Sequence, residues 1–215
     1  MKKIILLLLV VTTLSSCLVK SLQPFYLEKH VKFDGRLLGS WKDHENGNWD
    51  IVSFESVWKE DFDNSKPTEE DLEIYEKYKK SYVVKYLKSE KEAVFIATPF
   101  MVDEYLFMNL SLYEYSGNDV NSLAAQSLVK THSAAYIDFS ESGSMAFKFL
   151  SEDIIGTLIK EGKLRLDHEL TGVDEDLILT AKSEELHMFL TKFMKSDMEI
   201  KWKDSDNYYL KENKA

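Results

Sequence analysis

The sequence predicts a mainly β protein, an antiparallel barrel or strongly curved sheet of about nine or ten strands with three to four helices at its periphery. Three observations carry this. Short runs rich in β-branched and aromatic residues recur along the 215-residue chain. Most are joined by tight polar turns rather than by long helical crossings, which excludes a parallel α/β sheet. Aromatic side chains (12 Phe, 11 Tyr and 4 Trp) are numerous enough to fill the inside of a barrel or to line a small apolar cavity in it.

In chain order, the first two strands are expected at 37–42 and 48–58. Between them, Asp43-His44-Glu45-Asn46-Gly47 ends in an Asn-Gly pair that can supply the positive φ of a hairpin turn. Within 48–58, Trp49, Ile51, Ser53, Glu55 and Val57 alternate onto one face, and Val52, Phe54 and Trp58 onto the other. Further strands are expected at 82–88, 93–98, 104–113, 133–140, 144–150, 163–169 and 176–181, with a short last one at 207–211. Ser89-Glu90-Lys91-Glu92, Glu141-Ser142-Gly143 and Thr171-Gly172-Val173-Asp174 supply turns between them. Thr68 can cap a helix reaching residue 80, with Glu69, Glu70 and Asp71 in its first turn where the helix dipole favours acids. Ser151 caps 152–161, which stops at Gly162. Ser183 caps the clearest helix, in which Leu186, Phe189, Leu190, Phe193 and Met194 recur as one apolar stripe. A further helix is expected at 118–129. With no Pro-, Gly- or Ser-rich linker and no internal repeat, residues 36–215 read as a single domain.

The amino terminus carries a different pattern. Lys2-Lys3 precedes an unbroken apolar run from Ile4 to Val11, too short to span a bilayer, and Leu14-Ser15-Ser16-Cys17 closes it. This tetrapeptide resembles the lipobox of bacterial lipoproteins. The resemblance implies that residues 1–16 are a signal peptide, cut between Ser16 and Cys17, and that the Cys17 thiol carries lipid. Residues 17–35 then form the lipidated start and a tether, whose Pro24-Phe25-Tyr26 and Phe33 are apolar enough to pack on the domain. Each buried acyl methylene contributes about 0.8 kcal/mol to membrane attachment. Cys17 is the only cysteine, so no disulfide is expected, and no cofactor beyond the covalent lipid. Residues 18–23 contain no acid. Retention and surface-export signals place acids there, so the outer membrane, facing the periplasm, is the expected location. Loss of Lys2 and Lys3 would make the formal charge of −10 two units more negative. An acidic domain repels nucleic acid and anionic headgroups at a membrane surface.

Gly39-Ser40-Trp41, opening the first strand, resembles the G-x-W signature of lipocalin-like barrels. There the Trp closes one barrel end and often stacks on an Arg from a late strand. The resemblance makes Gly39, Trp41 and Arg165 a structural closure, Arg36 being the other arginine. Trp41 as an ordinary core residue is the competing reading. Together with the run from Glu161 to Glu169 and Leu179-Thr180-Ala181, the chain resembles a group of bacterial lipoproteins with a lipocalin-like domain. That likeness implies the barrel and carries over no catalytic residue. The helical insertion near 68–80 departs from a compact barrel.

No catalytic constellation is legible. His132 opens one strand and His168-Glu169 closes another, so they could meet at a barrel mouth. Neighbours on a strand point to opposite faces, which spoils His168 and Glu169 as joint ligands. No His or Cys spacing suited to a metal, no phosphate loop and no nucleophile elbow is present. The expected role is therefore non-catalytic: a membrane-tethered periplasmic lipoprotein binding a small apolar or amphipathic ligand, with Trp49, Trp58, Phe95 and Phe107 as candidate lining. The alternative is a packed module that docks another cell-envelope protein through the 183–195 helix and the 68–80 insertion. A cavity large enough for a ligand separates the two.

Overall fold

The computed structural model describes residues 18–115, 129–203 and 206–213. Ser16, Cys17 and all but the last residue of the helix expected at 118–129 lie outside these residues. The chain is mainly β, and of the two expected forms, barrel or curved sheet, it takes the antiparallel barrel, which closes. Eight strands form it in the order β6-β5-β4-β3-β2-β11-β8-β7, and β7 returns to β6. They are β2 (Gly39–Asp43), β3 (Asn48–Ser53), β4 (Tyr82–Lys88), β5 (Lys91–Val102), β6 (Tyr105–Tyr115), β7 (His132–Phe139), β8 (Met145–Phe149) and β11 (Asn207–Glu212). Closure leaves no exposed edge along the barrel.

The hairpin turns follow from local chemistry. Asn46 takes the positive φ of 68° between β2 and β3, while Gly47 is needed for space. A Cβ at Gly47 would overlap the Tyr86 ring and sit 2.6 Å from Asp43 Oδ2. Asp43 Oδ1 accepts from the Glu45 and Gly47 amides at 2.9 and 2.7 Å, closing the turn. Between β4 and β5, Ser89 (φ 50°) and Glu90 (φ 64°) make a two-residue turn with both residues left-handed, the geometry that matches strand twist.

The barrel is filled by its own side chains. Trp41, Trp49, Ile51, Tyr82, Met108 and Phe147, drawn from five of the strands, pack with one another inside it. Trp49 donates through Nε1 to Asp43 Oδ2 at 2.9 Å and lies 4.5 Å from the Tyr86 ring. A second core lies outside the barrel wall. There α3 (Glu152–Lys160), α4 (Ser183–Lys195), β1 (Lys20–Ser21) and β10 (Asp176–Leu179) cover the outer face of β5, β6 and β7. Leu186, Phe189, Leu190 and Phe193 of α4 are the buried stripe, as its period requires. β9 (His168–Thr171) pairs with β10 beyond them.

Several elements differ from expectation. The strand expected at 48–58 ends at Ser53, whose hydroxyl accepts from the Ser56 amide and starts helix α1 (Phe54–Asp61). Trp58 is therefore helical. The expected 163–169 strand is loop up to Asp167, because β10 offers partners only from His168 onward. Arg165 consequently stands on no strand. Helix α4 includes Ser183, with Lys182 at its N-cap, whose amide is capped by Glu185 Oε2 at 3.1 Å. The tether region is part of the body: Lys20–Ser21 pairs with β10 and β7, and Phe25 is fully buried. Helix α2 (Glu69–Tyr78) forms as expected, with Thr68 and Asp71 in a reciprocal capping box. Among the described residues, no helix is long and apolar enough to cross a membrane.

Candidate functional site

With the lumen filled, a concave space lies against the barrel's outer wall. Along each wall strand, side chains alternate between lumen and exterior. The exterior set forms a tiled row, because Val83 pairs with Ile96, Ile96 with Ser111, and Ser111 with His132. This row runs from apolar on β4 and β5 to polar on β6 and β7. Thr98 and Asn109, cross-strand partners, extend the polar half. Ser21 of β1 pairs with His132 on its other side and delivers Leu22, Gln23 and Pro24 as one bank.

The roof is the α1–α2 hairpin inserted between β3 and β4. Phe54, Val57, Trp58 and Asp61 recur at helical spacing on the face of α1 turned to the groove, and Asp71, Ile74, Lys77 and Tyr78 on that of α2. Trp58 lies 4.5 Å from the Tyr75 ring and Phe54 lies 5.8 Å from Tyr78, so the helices run antiparallel. Floor, bank and roof enclose about 780 Å³, within the roughly 300–1,000 Å³ usual for small-molecule sites. Leu22 and Ile74, 42% and 43% exposed, leave apolar surface open at its rim.

The polar half is an ordered hydrogen-bond array. Phe25 N–H donates to Asn109 Oδ1 at 3.1 Å, which fixes the amide orientation. Asn109 Nδ2 then faces His132 Nδ1 at 3.1 Å. An amide nitrogen only donates, so His132 Nδ1 must accept and the ring proton resides on Nε2. Burial lowers the His132 pKa, and the Lys77 charge lowers it further, so the neutral tautomer is the stable one. Thr98 Oγ1 lies 2.9 Å from Ser81 Oγ. The Tyr26 hydroxyl is pushed up by burial, partly offset by its bond to Thr98. Lys130 donates to the Tyr113 carbonyl at 3.3 Å, which holds it at the rim. Trp58 Nε1 is buried with no acceptor among the described residues.

Of the four aromatic residues expected to line a cavity, the structure brings only Trp58 to the groove, and from a helix rather than a strand. Trp49 and Phe95 belong to the packed lumen, because their register turns them inward. Phe107 is fully buried outside it, 5.7 Å from the Phe100 ring and 6.5 Å from Trp202. Trp41 is buried in the lumen and donates to the Leu37 carbonyl at 3.0 Å. Gly39 adopts φ +130°, a conformation open to glycine, with Trp41 Nε1 3.8 Å from its absent Cβ. Arg165 is not at Trp41. It lines a shallower depression with Leu158 and Phe189, beside the outer core, because its loop runs past α4. Arg36 instead lies over a ring, 4.0 Å from the centre of Phe139.

His132 reaches the groove, whereas His168 hydrogen-bonds the Leu166 carbonyl at 2.8 Å on the separate β9. Among the described residues no group of three His, Cys, Asp or Glu is placed to hold a metal ion. The groove also draws on Asn109 and Lys77, which no sequence motif marks. The signal for Asn109 was available: it is a lone amide in the outward series Tyr105, Phe107, Asn109, Ser111, Tyr113. No protein-family model, no curated protein and no solved structure matches the chain.

Proposed function

We propose that the protein is a non-catalytic, membrane-tethered lipoprotein of the periplasmic face of the outer membrane, and that it binds a small apolar or amphipathic molecule. The binding site in this reading is the groove between the α1–α2 hairpin and the outer wall of the barrel, not the lumen. The observation that carries it is the groove's size and make-up: about 780 Å³, apolar along Val57, Val83, Val94 and Ile96, with a few oriented polar groups at one side. The Leu14-Ser15-Ser16-Cys17 pattern supports the tether, which would keep such a site beside the membrane from which apolar ligands are released.

The packed lumen supports a second reading, in which the domain is a docking module for another cell-envelope protein and the groove holds a side chain of that partner. Native mass spectrometry of the chain from Leu18, purified from a periplasm, separates the two. Every described element lies within that chain. The carrier reading expects a reproducible added mass that is lost on denaturation and identifiable as a small molecule. A bare mass across independent preparations contradicts it and favours the module.

A further inference from the structure

The groove is not evenly polar. Its donors and its acids occupy different ends. Because α1 and α2 run antiparallel, Asp61 and Asp71 share the tip of the hairpin, away from the barrel, while Phe54, Lys77 and Tyr78 share its base. At the tip, Asp71 is already engaged, accepting from the Thr68 amide and hydroxyl at 2.8 and 2.7 Å. At the base two nitrogen donors are left without an acceptor among the described residues. Lys77 Nζ rests over the Tyr78 ring at 5.1 Å and has no carboxylate partner among the described residues. His132 keeps its proton on Nε2, since Nδ1 is committed to Asn109. Lys77 and His132 both line this groove, Lys77 from the roof and His132 from the wall, and the Lys77 charge acts on the imidazole. Midway along the hairpin Trp58, its ring tilted against Tyr75, adds a buried N–H without an acceptor among the described residues. A buried donor without an acceptor is destabilising until something accepts from it. In a chain of net charge −10, this end carries the Lys77 cation and no lining carboxylate, beside the hydroxyls of Thr98 and Ser111, which donate or accept.

Resting on the carrier reading above, we infer that the groove takes a single-chain amphiphile with an anionic head. The head sits at Lys77 Nζ and His132 Nε2, and the chain runs along Val57, Val83, Val94 and Ile96 beneath the α1–α2 roof. A carboxylate or phosphate head accepts from both donors at once. An alcohol head satisfies them only in part, and a quaternary ammonium repels Lys77 and accepts from neither.

The test is calorimetric titration of the chain from Leu18 with three probes of one chain length: dodecanoate, dodecan-1-ol and dodecyltrimethylammonium. Dodecanoate should bind at least about tenfold more tightly than either of the others, the size of one charge-assisted contact. Lys77→Met should bring dodecanoate down to the level of the alcohol while leaving the alcohol unchanged, and Lys77→Arg should keep the preference. Equal affinity for the three heads overturns the head assignment and leaves the groove standing as a carrier site. An equal loss of dodecanoate and dodecanol in Lys77→Met overturns it too, since Lys77 would then be wall rather than head contact. Failure of all three probes to bind overturns the groove reading itself.

Discussion

At the scale of the residue, Asn109 and His132 show how one backbone contact fixes a side-chain proton two groups away. The Phe25 amide orients Asn109, Asn109 orients His132, and the imidazole is left with its proton on Nε2. Protonating His132 would set two N–H donors against each other in a half-buried place beside Lys77. The folded pKa accordingly lies below the ordinary imidazole value, through burial first and Lys77 second. The unfolded chain takes up this proton near pH 6.5, so below about that pH the unfolded state binds more protons than the folded one and stability falls. His30 is displaced in the same direction by burial and by His187, so the comparison must isolate His132. Wild type should lose more thermal stability between pH 7.5 and 5.5 than His132→Gln, whose side-chain oxygen can accept from Asn109 at every pH. An equal loss in both proteins contradicts the assigned tautomer. Little of this array was legible in the sequence, because Phe25, Asn109 and His132 are far apart along the chain and meet only through strand register. His132 could be named as a polar strand residue, but not its partner.

At the scale of the element, the α1–α2 hairpin makes the difference between a bare barrel and a barrel with a groove. Its second helix was legible, since Thr68 with Asp71 three residues on is a capping box and the first turn is acidic. Its first helix was not. Phe54, Val57, Trp58 and Asp61 satisfy helical spacing, yet the same stretch continues the strand alternation of Trp49, Ile51 and Ser53, and short apolar runs do not distinguish the two periods. What decides it is Ser53, which caps the helix and is the last residue of β3 to pair, opposite Tyr82 at the start of β4. The Arg165 loop failed for the matching reason: an alternating Lys163-Leu164-Arg165-Leu166 has the strand pattern but no neighbouring strand to pair with. The cap of the roof can be probed directly. Thr68→Ala should cost about 1 kcal/mol of local helix stability. Amide exchange in α2 should quicken while the amides of β5 and β6 hold their protection. Uniform quickening through the barrel would mean that the roof and barrel unfold as one unit.

At the scale of the whole molecule, the barrel was legible because its evidence is repetitive: many short alternating runs joined by tight turns such as Asn46-Gly47 and Ser89-Glu90-Lys91-Glu92. The location of the free space was not. A barrel of eight strands is just wide enough to be filled by side chains, and whether it is filled depends on which aromatics face inward. Trp41, Trp49, Tyr82 and Phe147 do, so the lumen closes, while α3 and α4 seal a second core and the α1–α2 hairpin leaves the groove beside it. A ligand therefore meets the outside of the wall. The four tryptophans report on this separately: Trp41 and Trp49 in the lumen, Trp202 in the outer core, and Trp58 in the groove. The most direct measurement is the set of indole N–H resonances of the ¹⁵N-labelled chain from Leu18 during titration with dodecanoate. The expected result is a saturable shift of the Trp58 signal, with Trp41 and Trp49 unmoved. A shift of Trp41 or Trp49 with Trp58 still would place the ligand in the lumen and contradict the groove.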